Sequence, residues 1–307
     1  MEEKIYHTPV LLEESIEALN IKADGIYVDV TFGGGGHSLA ILSKLNDKGR
    51  LFAFDLDLDA QKNMPHDSRL IFINANFKHI TKMLKLHNVS KINGLLADLG
   101  VSSHQIDTPT RGFSTRYDGL LDMRMNQKAT LLAKDIINTY SQDELQRIFS
   151  EYSQIRNSKS LAQAIVNNRR NKAITTTQEL KEVAIKLSKH HKNINKFLAQ
   201  IFQAIRIELN QELEALKALL IQSVDIIDNN GRLVIISYHS QEDKMVKNFI
   251  KKACFEATLE LKDQYGNNLV KYPFKPYNKK PIIASQGEIF RNSRARSAKL
   301  RVGIKID

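Results

Sequence analysis

One cysteine, Cys254, stands in 307 residues, which excludes an intrachain disulfide and any multi-cysteine zinc or iron–sulfur site. No apolar run approaches the ~18 residues needed to span a bilayer, so no membrane partner is expected. The opening Met1-Glu2-Glu3-Lys4 lacks the basic and apolar regions of a signal peptide, and a reducing cytoplasm is the expected home. Acidic residues are in deficit: 34 Asp and Glu stand against 45 Lys and Arg, a formal net charge of +11. That balance favours nucleic acid or another polyanion as partner. There is no evident internal repeat or low-complexity linker, and the length suits one large domain or two moderate ones.

What is present centres on Tyr27-Val28-Asp29-Val30-Thr31-Phe32-Gly33-Gly34-Gly35-Gly36-His37-Ser38. A β-prone run meets four glycines, and a helical pattern follows at Leu39, Ile41, Leu42 and Leu45. Strand, tight turn and helix N-terminus in that order hold a nucleotide-like ligand, because glycine lets backbone N–H groups come close. Further strands are expected at Leu51–Phe54, Leu70–Ile73, Ile92–Ala97 and Arg232–Ser237, alternating with helix-length segments. That alternation indicates a parallel sheet, whose ligands bind at the carboxyl ends of the strands. Gly33 to Gly36, Asp55, Phe77, Asp98 and His239 all fall at such ends. Leu300, Val302, Ile304 and Ile306 alternate strictly, which predicts a half-exposed antiparallel strand.

Smaller signals set the boundaries. Thr8-Pro9 reads as the cap and first residue of a helix carrying Leu11, Leu12, Ile16 and Leu19. Ser141 with Glu144 and Thr176 with Glu179 fit capping boxes, and Ser240 with Asp243 fits a helix start. A long helical segment runs through Ile207, Leu213, Leu216 and Leu220 to a turn at Asn229-Asn230-Gly231. From about Ser103 to Leu198 only helices are expected. Within residues 151–200, Arg156, Lys159, Arg169, Arg170, Lys172, Lys181, Lys186, Lys189, Lys192 and Lys196 face only Glu151, Glu179 and Glu182. A basic helical insertion in the sheet domain follows, with a solvated helix face as the ordinary alternative for any one lysine.

Ligand chemistry comes from Gly33-x-Gly35-x-x-Ser38 with Asp55 ~20 residues beyond, the spacing of a ribose-binding carboxylate. NAD and S-adenosylmethionine (AdoMet) both present a ribose diol. Ser38 stands where a third glycine would, and Asp29 at the first strand's end repels a pyrophosphate but suits an ammonium and a sulfonium. AdoMet is favoured. Asp55-x-Asp57-x-Asp59 is no calcium loop, since Ala60 and His66 occupy the positions needing Gly and Glu; Asp57 is expected to cap the next helix. Asp98, before Leu99-Gly100-Val101-Ser102-Ser103, can accept a hydrogen bond from an amine and localise its lone pair; a turn or cap role is the alternative. His239, in Ser237-Tyr238-His239-Ser240, can orient substrate or shuttle a proton, or be structural. Cys254, expected within a helix far from the strand ends, disfavours methylation of a pyrimidine carbon by a cysteine nucleophile. From Lys271 onward ten cations and the aromatics Tyr272, Phe274, Tyr277 and Phe290 interleave, which suits phosphate contacts with base stacking. Burial in the core is the ordinary alternative for each aromatic alone.

These motifs together resemble the MraW family, the bacterial ribosomal RNA small subunit methyltransferases H. The likeness rests on His7-Thr8-Pro9-Val10-Leu11-Leu12, the glycine run through His37, and Asp98 to Asp107. It continues through Arg111-Gly112-Phe113-Ser114, Leu121-Asp122-Met123-Arg124-Met125, Phe202 to Asn210, Gly231 to Ser240 with Glu242-Asp243, and Asn292 to Arg301. It implies a Rossmann-like class I AdoMet methyltransferase sheet with an inserted all-helical domain. The expected division is 1–104 and 205–307 for the methyltransferase domain and 105–204 for the substrate-recognition insertion. The implied activity is AdoMet-dependent methylation of N4 of a cytidine in the decoding region of 16S ribosomal RNA within the small ribosomal subunit; a homodimer stays open. By motif, the implied AdoMet contacts are Gly35, Gly36, His37, Asp55, Phe77, Asp98 and Gln105, with Asp98 and His239 as catalytic candidates and no metal. Three departures stand out: Ser153-Gln154-Ile155 after Tyr152 where the family has Gly-Glu-Glu, Leu120 for a common proline, and Tyr238 for a usual Phe.

Overall fold

The computed structural model describes residues 9–187, 193–255 and 272–307. Thr8, Lys189, Lys192 and Lys271 lie outside them. The chain forms two compact units, one of Met1–Gly100 with Glu214–Asp307 and one of Val101–Leu213.

The first unit opens with α1 (Leu12–Leu19), β1 (Ile26–Asp29), α2 (Gly36–Leu42), β2 (Arg50–Phe54), β3 (Leu70–Ile73), α3 (Ile80–Leu86) and β4 (Ile92–Asp98). The helix expected from Pro9 begins three residues later, because Leu11 takes a left-handed conformation (φ 53°) as its N-cap. Strands β1 to β4 sit where the apolar runs placed them.

The second unit is helical, as the sequence predicts: α4 (Ser103–Asp107), α5 (Ala133–Thr139), α6 (Gln142–Glu151), α7 (Ser158–Arg169), α8 (Thr177–Lys186) and α9 (Ile194–Asn210). Both expected capping boxes, Ser141 with Glu144 and Thr176 with Glu179, are formed. Its core holds Leu145, Phe149, Leu161, Leu180, Phe197 and Ile201. The Arg111, Leu121 to Met125 and Asn210 motifs knit together here. The Asp122 carboxylate grips Arg124 at 2.8 and 2.7 Å, the Arg111 guanidinium donates to the Arg124 carbonyl, and the Asn210 amide holds the Met125 N–H and the Met123 carbonyl. Ile155, in the departing Ser153-Gln154-Ile155 stretch, is buried in this core.

The chain continues through α10 (Glu212–Ile226), β5 (Ile227–Ser237), α11 (Ser240–Lys252), β6 (Phe274–Pro276), α12 (Gln286–Arg291) and β7 (Lys299–Lys305). The expected single long helix is broken, since Gln211 turns left-handed (φ 52°) between α9 and α10. Asn229-Asn230-Gly231 is a register shift at the start of β5, with Asn230 at φ 63°, instead of a turn before it. Cys254 lies two residues beyond α11, which ends at a left-handed Ala253, so it is not mid-helix.

Among the described residues seven strands form one sheet in the order β3-β2-β1-β4-β5-β7-β6. Strands β1 to β5 are parallel, and β7 runs antiparallel to β5 and β6, as its alternation predicts. Successive strand residues face opposite sides. Val28, Phe52, Leu95, Leu233 and Ile235 enter one apolar layer, and Tyr27, Leu51, Leu96, Val234 and Ile236 the other. Burial on both faces explains the unbroken apolar runs by which these strands are read. Order reverses between β1 and β4, and the crevice outside such a switch point is where open parallel sheets take their ligands. The expected architecture, a Rossmann-like sheet with an all-helical insertion, is what the structure has.

Candidate active site

The glycine turn connects β1 to α2 with Gly33 at φ 52° and Gly35 at φ 81°, conformations an L side chain rarely adopts. Gly36 is required for a different reason: a Cβ there would stand 2.2 Å from Pro9 Cγ. The turn is tied down by the Asp55 carboxylate at the end of β2. Its Oδ2 accepts from the Gly33 N–H at 2.7 Å and its Oδ1 from the Asp57 N–H at 2.8 Å. Burial pushes Asp55 up to about 6, and the negative charges of Asp57 and Asp29 add to the rise against those two hydrogen bonds. Asp57 caps the following short helix through the Asp59 N–H, as expected.

Asp29 does not face an incoming ligand, contrary to the role its place at the strand end suggests. Its side chain is buried, with Oδ2 accepting from Ser38 Oγ at 2.7 Å and Oδ1 from the Thr31 N–H at 3.0 Å. Thr31 Oγ1 in turn accepts from the Asp98 N–H at 2.6 Å, so the end of β1 positions the end of β4.

Asp98 is the centre of the site. Oδ1 accepts the Tyr238 hydroxyl at 2.7 Å, and Oδ2 lies 4.0 Å from His37 Nδ1. Burial pushes Asp98 up to about 7; the tyrosine hydrogen bond opposes this, while Asp29 and Glu242 add to it. Tyr238, half-buried and facing a carboxylate, has its pKa pushed far up by desolvation and the Asp98 charge, so it stays a hydroxyl donor. His37 is buried and pushed down to about 4 by desolvation, hence neutral at pH 7. Its Nε2 is 3.2 Å from the Val10 carbonyl, an acceptor, so Nε2 carries the proton and Nδ1 offers a lone pair toward Asp98.

His239 is the N-cap of α11, one residue before the expected Ser240, and Asp243 is not the capping acid. Glu242 fills that place: its Oε2 accepts from the Tyr238 and His239 N–H groups at 2.9 and 3.3 Å. Glu242 Oε1 also stands 3.0 Å from His239 Nε2. Asp243 instead grips Arg301 at 2.6 Å and Lys299 at 3.2 Å on β7. Phe77 follows β3, packed partly against the core, with Asn76 capping its turn through the Lys78 N–H. The first unit therefore brings Gly35, Gly36, His37, Asp55, Phe77, Asp98 and His239 to the carboxyl edge of one sheet. Gln105 belongs to the second unit, where it closes a capping box with Ser102 at the start of α4.

Sequence reasoning missed Thr31, Ser38 and Glu242. Thr31 was legible, because a threonine two residues after an aspartate is a common Asx-turn donor. Glu242 three residues after His239 was the capping spacing one register earlier than the serine suggested.

No lysine or arginine is paired with Asp29, Asp55 or Asp98 among the described residues. A sheet edge whose carboxylates carry burial without a countercharge is electrostatically suited to a cation.

Residues 4–306 match the MraW methylase family. The chain is 54% identical over 300 residues to the ribosomal RNA small subunit methyltransferase H of Amoebophilus asiaticus, covering 97% of this chain and 95% of that one. It is 52% identical over 301 residues to the protein of the same name from Flavobacterium johnsoniae, covering 98% of each. It is also similar to the solved structure of an rRNA methylase from Streptococcus thermophilus, at 10% identity and a TM-score of 0.41 over 96% of this chain and 94% of that one.

Proposed function

The chain belongs to the MraW methylase family, and on that footing we propose that it methylates N4 of a cytidine in the decoding region of 16S ribosomal RNA, with AdoMet as methyl donor. The observation that carries the donor is the set of carboxylates without a basic partner around the glycine turn, which fits a ligand bearing both a sulfonium and an ammonium. A dinucleotide would bring a pyrophosphate toward Asp55 and Asp98 and be repelled. Gly35, Gly36 and His37 hold the methionine end. Asp55 takes the ribose hydroxyls with the lone pairs its two backbone donors leave. Phe77 supplies a further contact to the bound cofactor.

Bound there, AdoMet would supply an electrophilic methyl on a sulfonium, with a neutral thioether as leaving group. The chain's task is to make a poor nucleophile adequate. The N4 lone pair of cytosine is delocalised into its ring, and alignment lowers the barrier by removing translational and rotational freedom. Asp98, as carboxylate, accepts a hydrogen bond from the N4 amine and localises its lone pair. It then takes the proton that the methylated nitrogen releases. His239, held against Glu242, orients the substrate beside it. Residues 105–204 act as the substrate-recognition insertion, their basic helices facing RNA phosphates.

Calorimetry should give AdoMet binding without NAD binding. Nucleoside mass mapping of 16S RNA with and without the gene should then show loss of one N4-methylated cytidine. Tight NAD binding with no AdoMet binding, or unchanged methylation, overturns the reading.

A further inference from the structure

Phe290 is 92% exposed on α12, well beyond any other large apolar side chain among the described residues. Leaving a phenylalanine in water forgoes about 2 kcal/mol of burial. Its helix is not loose. Ser285 caps α12 through the Glu288 N–H, Ile289 packs toward the core beside Phe290, and the Glu288 carboxylate accepts the Leu11 N–H at 2.8 Å. The ring is therefore held outward by a pinned helix.

Its surroundings are basic. Arg291 and Arg296 are exposed on the same short stretch, and Ile283, 66% exposed, precedes the helix. Its position is also informative. Glu288 ties α12 to Leu11, Val10 next to it holds His37 by its carbonyl, and His37 stands 4.0 Å from Asp98. Residues two apart on a helix point about 200° from each other. Phe290 thus faces away from the Leu11 contact and does not enter the site it borders.

We propose that Phe290 is a stacking platform for an unpaired nucleotide flanking the target, with Arg291 and Arg296 on the adjoining phosphates. The inference rests on the RNA substrate proposed above and adds where the strand runs as it leaves the site. An exposed aromatic between cations is the arrangement by which single strands are held without base-specific hydrogen bonds. It suits RNA rather than a second copy of this chain, because a copy would bring the same cations against these two arginines.

The test uses the full-length protein and a fluorescein-labelled, cytidine-containing single-stranded RNA of about 12 nucleotides. Phe290→Ala should weaken binding roughly tenfold with the slope of log Kd against log salt unchanged, and Phe290→Trp should restore it. Arg291→Gln should instead lower that slope by about 1. AdoMet binding should be the same in all three variants. Phe290→Ala within about twofold of the parent overturns the proposal, as does a change in sedimentation state in place of RNA affinity. Both readouts are independent of methyl transfer, so failure of the proposed reaction would appear separately, as wild-type protein that binds RNA and transfers nothing.

Discussion

The Tyr238 hydroxyl donates to Asp98 Oδ1 at 2.7 Å, joining the ends of β5 and β4 at a carboxyl group that burial raises to about 7. A hydroxyl donor favours the ionised carboxylate, so this bond holds Asp98 below the value that burial, Asp29 and Glu242 would otherwise set. In Tyr238→Phe the acid limb of the pH–rate profile should move upward by about 1 pH unit. Activity would then fall about fivefold near pH 7 and recover near pH 9. A uniform loss at every pH contradicts this role and leaves Tyr238 a packing residue.

Asp98→Asn should stabilise the unliganded protein in a pH-dependent way. Asp98 has a folded value above its unfolded one, so between about 4 and 7 the folded state binds more protons than the unfolded state. Stability from this group is greatest at low pH and is lost as pH rises through about 7. Its side chain keeps 24% exposure, which moderates the effect. At pH 8 the variant should gain about 1–3 kcal/mol over the parent, shrinking toward nothing by about pH 4, while AdoMet binding weakens. Thermal melts across pH check it; a variant less stable at pH 8 would show that Asp98 is not a strained buried charge.

His37 works in the opposite direction. Its folded value of about 4 lies below the unfolded one, so its contribution to stability rises with pH across roughly 4 to 6.5. His37→Gln should flatten that rise in pH-dependent melts. An unchanged slope would contradict a buried neutral imidazole.

Asp55→Ala removes an acceptor from the Gly33 and Asp57 N–H groups and from the proposed ribose. AdoMet should bind about 5- to 100-fold more weakly by calorimetry. An unchanged Kd refutes the role.

Gly36→Ala places a methyl 2.2 Å from Pro9 Cγ, and the neighbouring Val10 carbonyl holds His37. Overpacking of this kind costs about 1–3 kcal/mol, and the displaced Val10 should loosen His37 and reduce AdoMet affinity. A melting temperature within about 1 °C of the parent, with full affinity, would mean that the Pro9 segment yields freely.

The central strands were legible because burial on both faces leaves apolar runs with no competing period, and the glycine turn and Asp55 followed from their ends. Strand β6 was not, since three residues ending in Pro276 carry no pattern and Phe274 earns its burial only by packing. The break at Gln211 was hidden because neither glycine nor proline marks it. Asp29 misled: a carboxylate at a strand end looks available until Thr31 and Ser38 are seen to consume its oxygens. Tyr238 reads in the sequence only as a departure from a usual Phe, and its hydroxyl gains meaning once β5 lies beside β4.

Small ribosomal subunits from cells lacking the gene, incubated with the purified protein and methyl-deuterated AdoMet, offer the decisive readout. Fragment mass spectrometry of the 16S RNA should find the deuterated methyl on N4 of one decoding-region cytidine. No incorporation, or a label on a ring carbon or a ribose oxygen, would contradict it.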